Sequence, residues 1–457
     1  MGKKFLFLAI ALFVFAFSSM SAKDRLLRDS ITENRIYPGA VHSFTVSLPA
    51  SANGEVGLLL SFDGDVFSAR KVVDELAEKG EMPPVVIVGL NPGVVRDSSG
   101  RVIRYNRSNE FDALDNRMAR FIERNLIPKV SKMVSKAGVK LSNNPDLHAV
   151  MGASSGGIAA FIVAWHSPHL FHRVYSSAGT FVAMRGGDAL PAIIRKTETK
   201  PIRIFLHDGK NDVWNPLFGN WFEANQLMES ALTFAGYEVA HSWDDGNHSI
   251  SGGIKALPDA MRWLWHNWQI PVSSSGKSGN DMLKSILRDG EEWTWTSENV
   301  EFPDYSTITA SDGSTFGSAN GPAIALSPDN KILVEAEINS NWLIASVVGD
   351  NGRLSYRQRF YWLHNIDNST ETYSRQMAFD EDGNLYVATS MGVQVCDQNG
   401  RVRAILPLPF RESASALMFK GNSLYVKSGV NVYVRKLKVR GYDNSTSPIV
   451  PKSQGQA

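Results

Sequence analysis

The stretch Gly152-Ala153-Ser154-Ser155-Gly156-Gly157 constrains this chain more than any other. An apolar run, residues 147–151, leads into it, and a run with helical character, residues 158–165, leads out. The pattern predicts a strand, a tight turn and a helix, with Ser154 at the apex. Such a G-x-S-x-G turn is a nucleophile elbow. Small residues flank the serine, so the backbone can fold sharply and push the hydroxyl into solvent. The amide of Ser155 opens the following helix and points into the same space, where it can hold an oxyanion. A glycine- and serine-rich turn without chemistry would look the same locally, so the rest of the chain has to decide.

A serine hydroxyl is a poor nucleophile near neutral pH. It needs a base, and the base needs an orienting acid. In one common layout both follow the serine, acid first, each on a loop after a strand. Residues 201–206 read as a buried strand that runs into His207-Asp208-Gly209-Lys210-Asn211-Asp212. Residues 239–243 read as another, running into Asp244-Asp245-Gly246-Asn247-His248. The expectation is Ser154 as nucleophile, His248 as base and Asp212 as acid. Asp212 is preferred to Asp208 because the turn needs a few residues to reach the histidine. Asp244 and Asp245 sit close to His248 in sequence and are expected to cap or bind instead. His166, His169 and His172 read as packing or solvent residues, and His241 as part of a strand. A second oxyanion donor is expected in the loop Phe62-Asp63-Gly64-Asp65-Val66, from the amides of Gly64 and Asp65. Trp214, Phe218 and Trp221 follow the acid loop. They can form an aromatic platform for an acyl group or a sugar, or pack a lid onto the core.

Further short apolar runs lie at residues 56–62, 84–90 and 174–177, and residues 40–48 alternate like an antiparallel edge strand. Helical spacing appears at 67–79, at 112–136 with an interruption near Pro128, at 221–235 and at 256–268. Fully apolar strands alternating with helices predict a mostly parallel sheet covered on both faces, the α/β-hydrolase fold. After about residue 270 helical periodicity disappears. Strand-turn-strand units begin at Ala325, Ala378 and Leu417, the first two turns carrying Ser-Pro-Asp-Asn and Asp-Glu-Asp-Gly-Asn. Their spacing, roughly 40–50 residues, suits propeller blades. For 457 residues, two domains are expected. The predicted layout is a signal peptide at 1–22, an α/β-hydrolase domain at 23–270, a linker at 271–280, an all-β, propeller-like domain at 281–440 and a disordered tail at 441–457.

Lys3 and Lys4, an apolar run over 5–17 and small residues up to Ala22 make the start of the chain a secretory signal peptide. No cysteine stands nearby for a lipid anchor. The expected location is secreted or periplasmic, with no membrane association after cleavage. The sequons at Asn106, Asn247, Asn368 and Asn444 include one beside His248, where a glycan would obstruct; this favours a bacterial source. With 47 basic and 46 acidic residues the net charge is +1, which argues against nucleic acid as a partner. Cys396 is the sole cysteine, so no intrachain disulfide can form, and it reads as a buried apolar filler.

The Asp63-Gly64 loop, Glu110-Phe111-Asp112, the elbow, Gly209-Lys210-Asn211-Asp212 and Gly246-Asn247-His248 together resemble the esterase D / enterochelin-esterase-like group. That group includes the feruloyl and acetylxylan esterases of carbohydrate esterase family 1. The resemblance spans roughly residues 36–270. It implies a serine esterase with Ser154, Asp212 and His248 in the roles above, no cofactor, and a polysaccharide or small-ester substrate. Many members carry His-Gly where this chain has Asp63-Gly64, and enterochelin-esterase-like members carry Asp-Gly. Residues 321–437 resemble part of an SMP-30/gluconolactonase propeller. The metal-binding turns of that family would fall at Gly321-Pro322-Ala323 and Ser374-Arg375-Gln376, which lack its ligands, so no metal is expected. The reading is a secreted esterase acting on acetyl or feruloyl esters of plant cell-wall polysaccharide. Its alternatives are a siderophore-ester hydrolase and a non-catalytic glycan-binding protein on a relic esterase fold.

Overall fold

Strands apolar on both faces must be covered on both faces, and a parallel sheet between helices does this. The computed structural model describes residues 25–50, 55–274, 277–366, 376–409 and 413–454. The signal-peptide segment, Ser374 and Arg375 lie outside them. The first half runs β1 (Leu26–Ile31), β2 (His42–Ser47), β3 (Glu55–Phe62), α1 (Arg70–Glu78) and β4 (Val85–Leu90). A hairpin of β5 (Val94–Arg96) and β6 (Val102–Tyr105) follows, then helices α2 (Arg107–Phe111), α3 (Arg117–Phe121) and α4 (Ile127–Lys136). Next come β7 (Lys140–Leu141), β8 (His148–Ala153), α5 (Ser155–His166), β9 (Arg173–Ser177), α6 (Leu190–Lys196) and β10 (Arg203–Gly209). The pair β11 (Trp214–Asn215) and β12 (Gly219–Asn220), α7 (Trp221–Phe234), β13 (Glu238–Asp244) and α8 (Ile250–Trp265) complete it.

The main sheet has the order β1-β2-β4-β3-β8-β9-β10-β13. From β4 to β13 every pairing is parallel. Only β2 runs against the others, antiparallel to β1 on one side and to β4 on the other, at one edge. This is the mixed sheet of an α/β-hydrolase fold. α5 crosses its middle, buried from Ser155 to Trp165, as a helix apolar all round should be. The loops at the carboxyl ends of β8, β10 and β13 therefore share one rim.

Two predicted helices differ in form. The long helix over 112–136 is three pieces: α3, a π-helical turn at Ile122–Leu126 and α4. Pro128 sits in the first turn of α4, where its missing N–H costs least, and the wider turn before it absorbs the mismatch. The closing helix starts at Ile250 rather than residue 256, because Gly252, Gly253 and Pro258 mask its apolar periodicity.

Among the described residues the second half contains α9 (Asp281–Ile286) and short antiparallel sheets. Strands β14 (Thr294–Trp295), β15 (Thr307–Thr309) and β16 (Thr315–Gly317) come first. Then β17 (Ile324–Leu326), β18 (Ile332–Ala336), β19 (Trp342–Val348) and β20 (Leu354–Trp362) form one four-stranded meander. β21 (Met377–Phe379), β22 (Leu385–Thr389), β23 (Gly392–Cys396) and β24 (Val402–Leu406) form another. The last sheet joins β25 (Ala416–Lys420), β26 (Ser423–Ser428) and β27 (Asn431–Lys436) to β14. Each repeat seen in the sequence is the first hairpin of one sheet, and β17 lies beside β21 as β21 lies beside β25. Cys396 is buried.

Residues 271–274, 277–280 and 441–454 are bound into the structure. The Val272 amide donates to Asp146 Oδ1 at 2.8 Å, and Asn280 caps α9. The expectation of a disordered tail needs correcting over 441–454. Tyr442 N–H donates to Phe379 C=O, Ile449 N–H to Pro328 C=O, and Gln454 Nε2 to Asn384 Oδ1. Backbone groups and one amide side chain hold this segment despite its polar composition. The halves meet where Arg435, its side chain 2% exposed, forks onto Glu198 with two bonds of 2.7 Å.

Candidate active site

Ser154 is where β8 becomes α5, and its backbone lies at φ 57°, ψ −123°. A side chain is strained there, and the strain aims Oγ off the sheet. Gly152 makes the turn possible. A Cβ at that position would drive into the carbonyl of Gly156. The Ser154 amide donates to Ser177 C=O, and its carbonyl accepts from Gly157 and Thr180, so every backbone group of the apex is tied down.

Ser154 Oγ lies 3.0 Å from His248 Nε2. His248 Nδ1 lies 2.7 and 3.0 Å from the two oxygens of Asp212. An ionised carboxylate only accepts, so Nδ1 carries the proton and the Nε2 lone pair faces the hydroxyl. The Asp212 carboxylate is fully buried, while the imidazole is 29% exposed. The three residues from distant parts of the chain thus meet in one hydrogen-bonded row.

Asp208 stands behind Asp212 and does not touch the histidine. It is buried and accepts from the Gly209 amide and from Asn225 Nδ2. Burial first, then the hydrogen bond and negative charge of Asp212, push its carboxyl up to about 9. Burial would also raise Asp212, but bonds from His248, Asp208 and the Val213 amide hold it below the usual carboxylate range. The pair is one acid and one anion, with Asp208 donating to Asp212.

Of the two amides expected for the second oxyanion donor, Gly64 needs correcting. Its N–H donates to Leu90 C=O at 3.1 Å and is spent on the sheet edge. Among the described residues the Asp65 N–H has no such bond, while its carboxylate accepts from the Ala69 amide. The loop abuts the elbow, since a Cβ on Gly156 would lie 3.1 Å from Phe62 Cβ. Ser155 supplies the first amide of α5, which has no acceptor one turn back.

The aromatic candidates separate. Trp221 is buried, its ring centroid 5.8 Å from that of His248 in an edge-to-face contact, and its Nε1 donates to Thr180 Oγ1 at 3.4 Å. It packs the base and cannot serve as an open platform. Phe218 is half-buried. Trp214 is 66% exposed on the β11–β12 hairpin, two residues past Asp212.

Sequence reasoning missed Arg107. Its guanidinium forks onto Asp63 at 2.8 and 2.7 Å and reaches Ser155 Oγ at 2.9 Å, tying the oxyanion loop to the elbow. The only available signal was its place just before Glu110-Phe111-Asp112. Glu110 is itself a buried hub, bonded to His42, Asn106 and the Gly93 amide. A cavity of about 810 Å³ lies elsewhere, at the far end of α5 between the halves, lined by Trp165, Glu198, Trp293, Met391 and Leu408. The row of Ser154, His248 and Asp212 does not line it.

Residues 38–259 match the Esterase family, described as "Putative esterase". This span is similar to the esterase D / enterochelin-esterase-like family. The chain is 27% identical over 158 residues to the iron(III) enterobactin esterase of Dickeya dadantii, an alignment covering 31% of this chain and 34% of the relative. It thus spans about a third of the length of that curated relative. Among solved structures, the enterobactin esterase of Shigella flexneri is 20% identical at a TM-score of 0.41, covering 52% of this chain and 59% of the other. The feruloyl esterase module of Clostridium thermocellum is 11% identical at 0.37, covering 53% and 88%.

Proposed function

We propose that this esterase hydrolyses carboxylic esters with Ser154 as nucleophile, His248 as base and acid, and Asp212 as orienting acid. The hydrogen-bonded row with Oγ 3.0 Å from Nε2 carries the reading. Ser154 Oγ attacks the ester carbonyl carbon while His248 takes its proton. The tetrahedral oxyanion is held by the amides of Ser155 and Asp65, each such donor supporting roughly 3–4 kcal/mol of transition-state stabilisation. His248 then protonates the leaving alcohol. Water, deprotonated by the same imidazole, releases the acid from the acyl-enzyme. Asp212 keeps the imidazole in the tautomer that faces the serine and balances its charge.

The substrate proposed is an acetyl or feruloyl ester of plant cell-wall polysaccharide, met outside the cytoplasm. The composition of residues 1–22 supports the location, and the exposed indole of Trp214 beside the acid supports a planar or sugar-bearing substrate. The second half is proposed to be a partial propeller that serves the esterase as a docking or glycan-binding module. The stacking of the three meanders through their first strands supports this. A siderophore ester is the second reading, favoured by the Dickeya relative's name and by Asp63-Gly64.

Wild-type protein should hydrolyse p-nitrophenyl acetate, and Ser154→Ala should lose on the order of 10⁴-fold or more in kcat. Equal rates for the two would leave only the non-catalytic reading. Release of ferulate or acetate from arabinoxylan, set against cleavage of ferric enterobactin, then assigns the substrate.

A further inference from the structure

A second serine, histidine and aspartate meet just beneath the first set. Ser177 Oγ lies 2.9 Å from His207 Nδ1, and His207 Nε2 lies 3.3 Å from Asp244 Oδ2. The carboxylate can only accept, so Nε2 carries the proton and Nδ1 accepts from the Ser177 hydroxyl. Burial pulls the His207 pKa down against the opposing pull of Asp244, which keeps the ring neutral. This array cannot bind a substrate. Ser177 is fully buried and the His207 side chain is 3% exposed. The first turn of α8 packs over His207, because a Cβ on Gly252 would come within 2.9 Å of His207 Nε2 and 2.8 Å of Asp244 Oδ2. Only the Asp244 carboxylate, its side chain 32% exposed, reaches solvent.

Ser177 and Asp244 are bonded to the backbone that carries the row above, and His207 to the turn after β9. Ser177 C=O accepts the amide of Ser154 at 2.9 Å. His207 C=O accepts the amide of Ala178, a residue held at φ 46°. Asp244 C=O accepts the amide of Lys210 at 2.8 Å, its Oδ1 accepts that of Gly246 at 2.7 Å, and Gly246 C=O accepts that of Asn211 at 2.9 Å. The array thus cross-links the ends of β9, β10 and β13: the acid and base leave the sheet from β10 and β13, and β9 holds the nucleophile at the end of β8 through the bond from Ser154 N–H to Ser177 C=O. α8, packed onto it, begins two residues after His248.

We propose that Ser177, His207 and Asp244 are positioning residues that set the separation of His248 from Ser154. The proposal rests on the catalytic reading of Ser154, Asp212 and His248. None of the three touches the reacting atoms. They act by holding three loops in one register, and a displacement of about 1 Å in such a row can cost on the order of 100-fold.

The test uses the full chain, with Asp244→Asn, His207→Gln and the double variant assayed on p-nitrophenyl acetate. Each single change is expected to lower kcat roughly 10- to 100-fold with KM within about twofold. The double variant should be no worse than the poorer single one, since both break the same link. An unchanged kcat, additive losses, or a loss that merely follows the folded fraction in a thermal melt would overturn the proposal. A crystal structure of Asp244→Asn gives a readout independent of turnover. The His248 to Ser154 distance should open beyond hydrogen-bonding range, about 3.5 Å; if it stays closed, the array does not position the base. An inactive wild type would instead count against the esterase reading alone.

Discussion

Asp208 and Asp212 lie on one loop, yet burial and neighbours drive them to opposite states. In an unfolded chain Asp208 would titrate near about 3.9; in the fold it titrates near about 9. Between those values the folded protein holds a proton that the unfolded chain has lost, so this group's contribution to stability declines as pH rises. Asp208→Asn removes the titration and keeps a donor toward Asp212. Its melting temperature relative to wild type should improve steadily from about pH 5 to about pH 9; a constant difference across that range would refute the assignment. Asp212→Asn should fold but lose on the order of 10⁴-fold in kcat, since an amide favours the wrong imidazole tautomer. The positions of Ser154, Asp212 and His248 were legible because each follows a strand whose apolar run marks its end. The choice of Asp212 over Asp208 rested on reach alone, and the proton shared behind it had no signature. The link from Arg107 to Asp63 and Ser155 joins residues far apart in sequence, so no local pattern could announce it.

At the scale of elements, the elbow is the most exacting piece. Gly152 faces the Gly156 carbonyl with no room for a methyl group. Gly152→Ala should therefore destabilise the protein by on the order of 3 kcal/mol, read as a lower denaturation midpoint. The strands were the easiest elements to read, since buried parallel strands are unbroken apolar runs. Helices were read well where one face is apolar, as at α1 and α7. The start of α8 was hidden because Gly252 and Gly253, poor helix formers, are required by the close approach to His207, Asp244 and Ser177. The break at Pro128 was visible, but the π-helical turn that accommodates it was not. A proline announces a missing donor and leaves open how the preceding turn adjusts. In the second half the repeat located the first hairpin of each sheet, because turn residues between apolar runs mark hairpins. The outer strands, such as exposed β20, lack that contrast.

Across the whole molecule the halves are joined by buried contacts as well as by chain. Thr197 bridges to Ile405, Asn280 reaches the carbonyls of Arg195 and Arg403, and Arg435 grips Glu198. Glu198→Ala would strand a buried guanidinium, at a cost of about 3–5 kcal/mol. The second half should then loosen first, giving two thermal transitions where wild type gives one. Hydrolysis of p-nitrophenyl acetate should persist, because the row of Ser154, His248 and Asp212 lies at the other end of α5. Loss of hydrolysis in step with loosening would mean that the second half supports the site. The strand β14 has a further implication. It comes before every other strand of the second half but pairs with β27, which comes after them all. On the ribosome the esterase domain can mature as it emerges, whereas the last sheet must wait with an open edge until translation is almost finished. Synthesis halted shortly before β27 would leave a folded first half carrying a sticky, unfinished appendage.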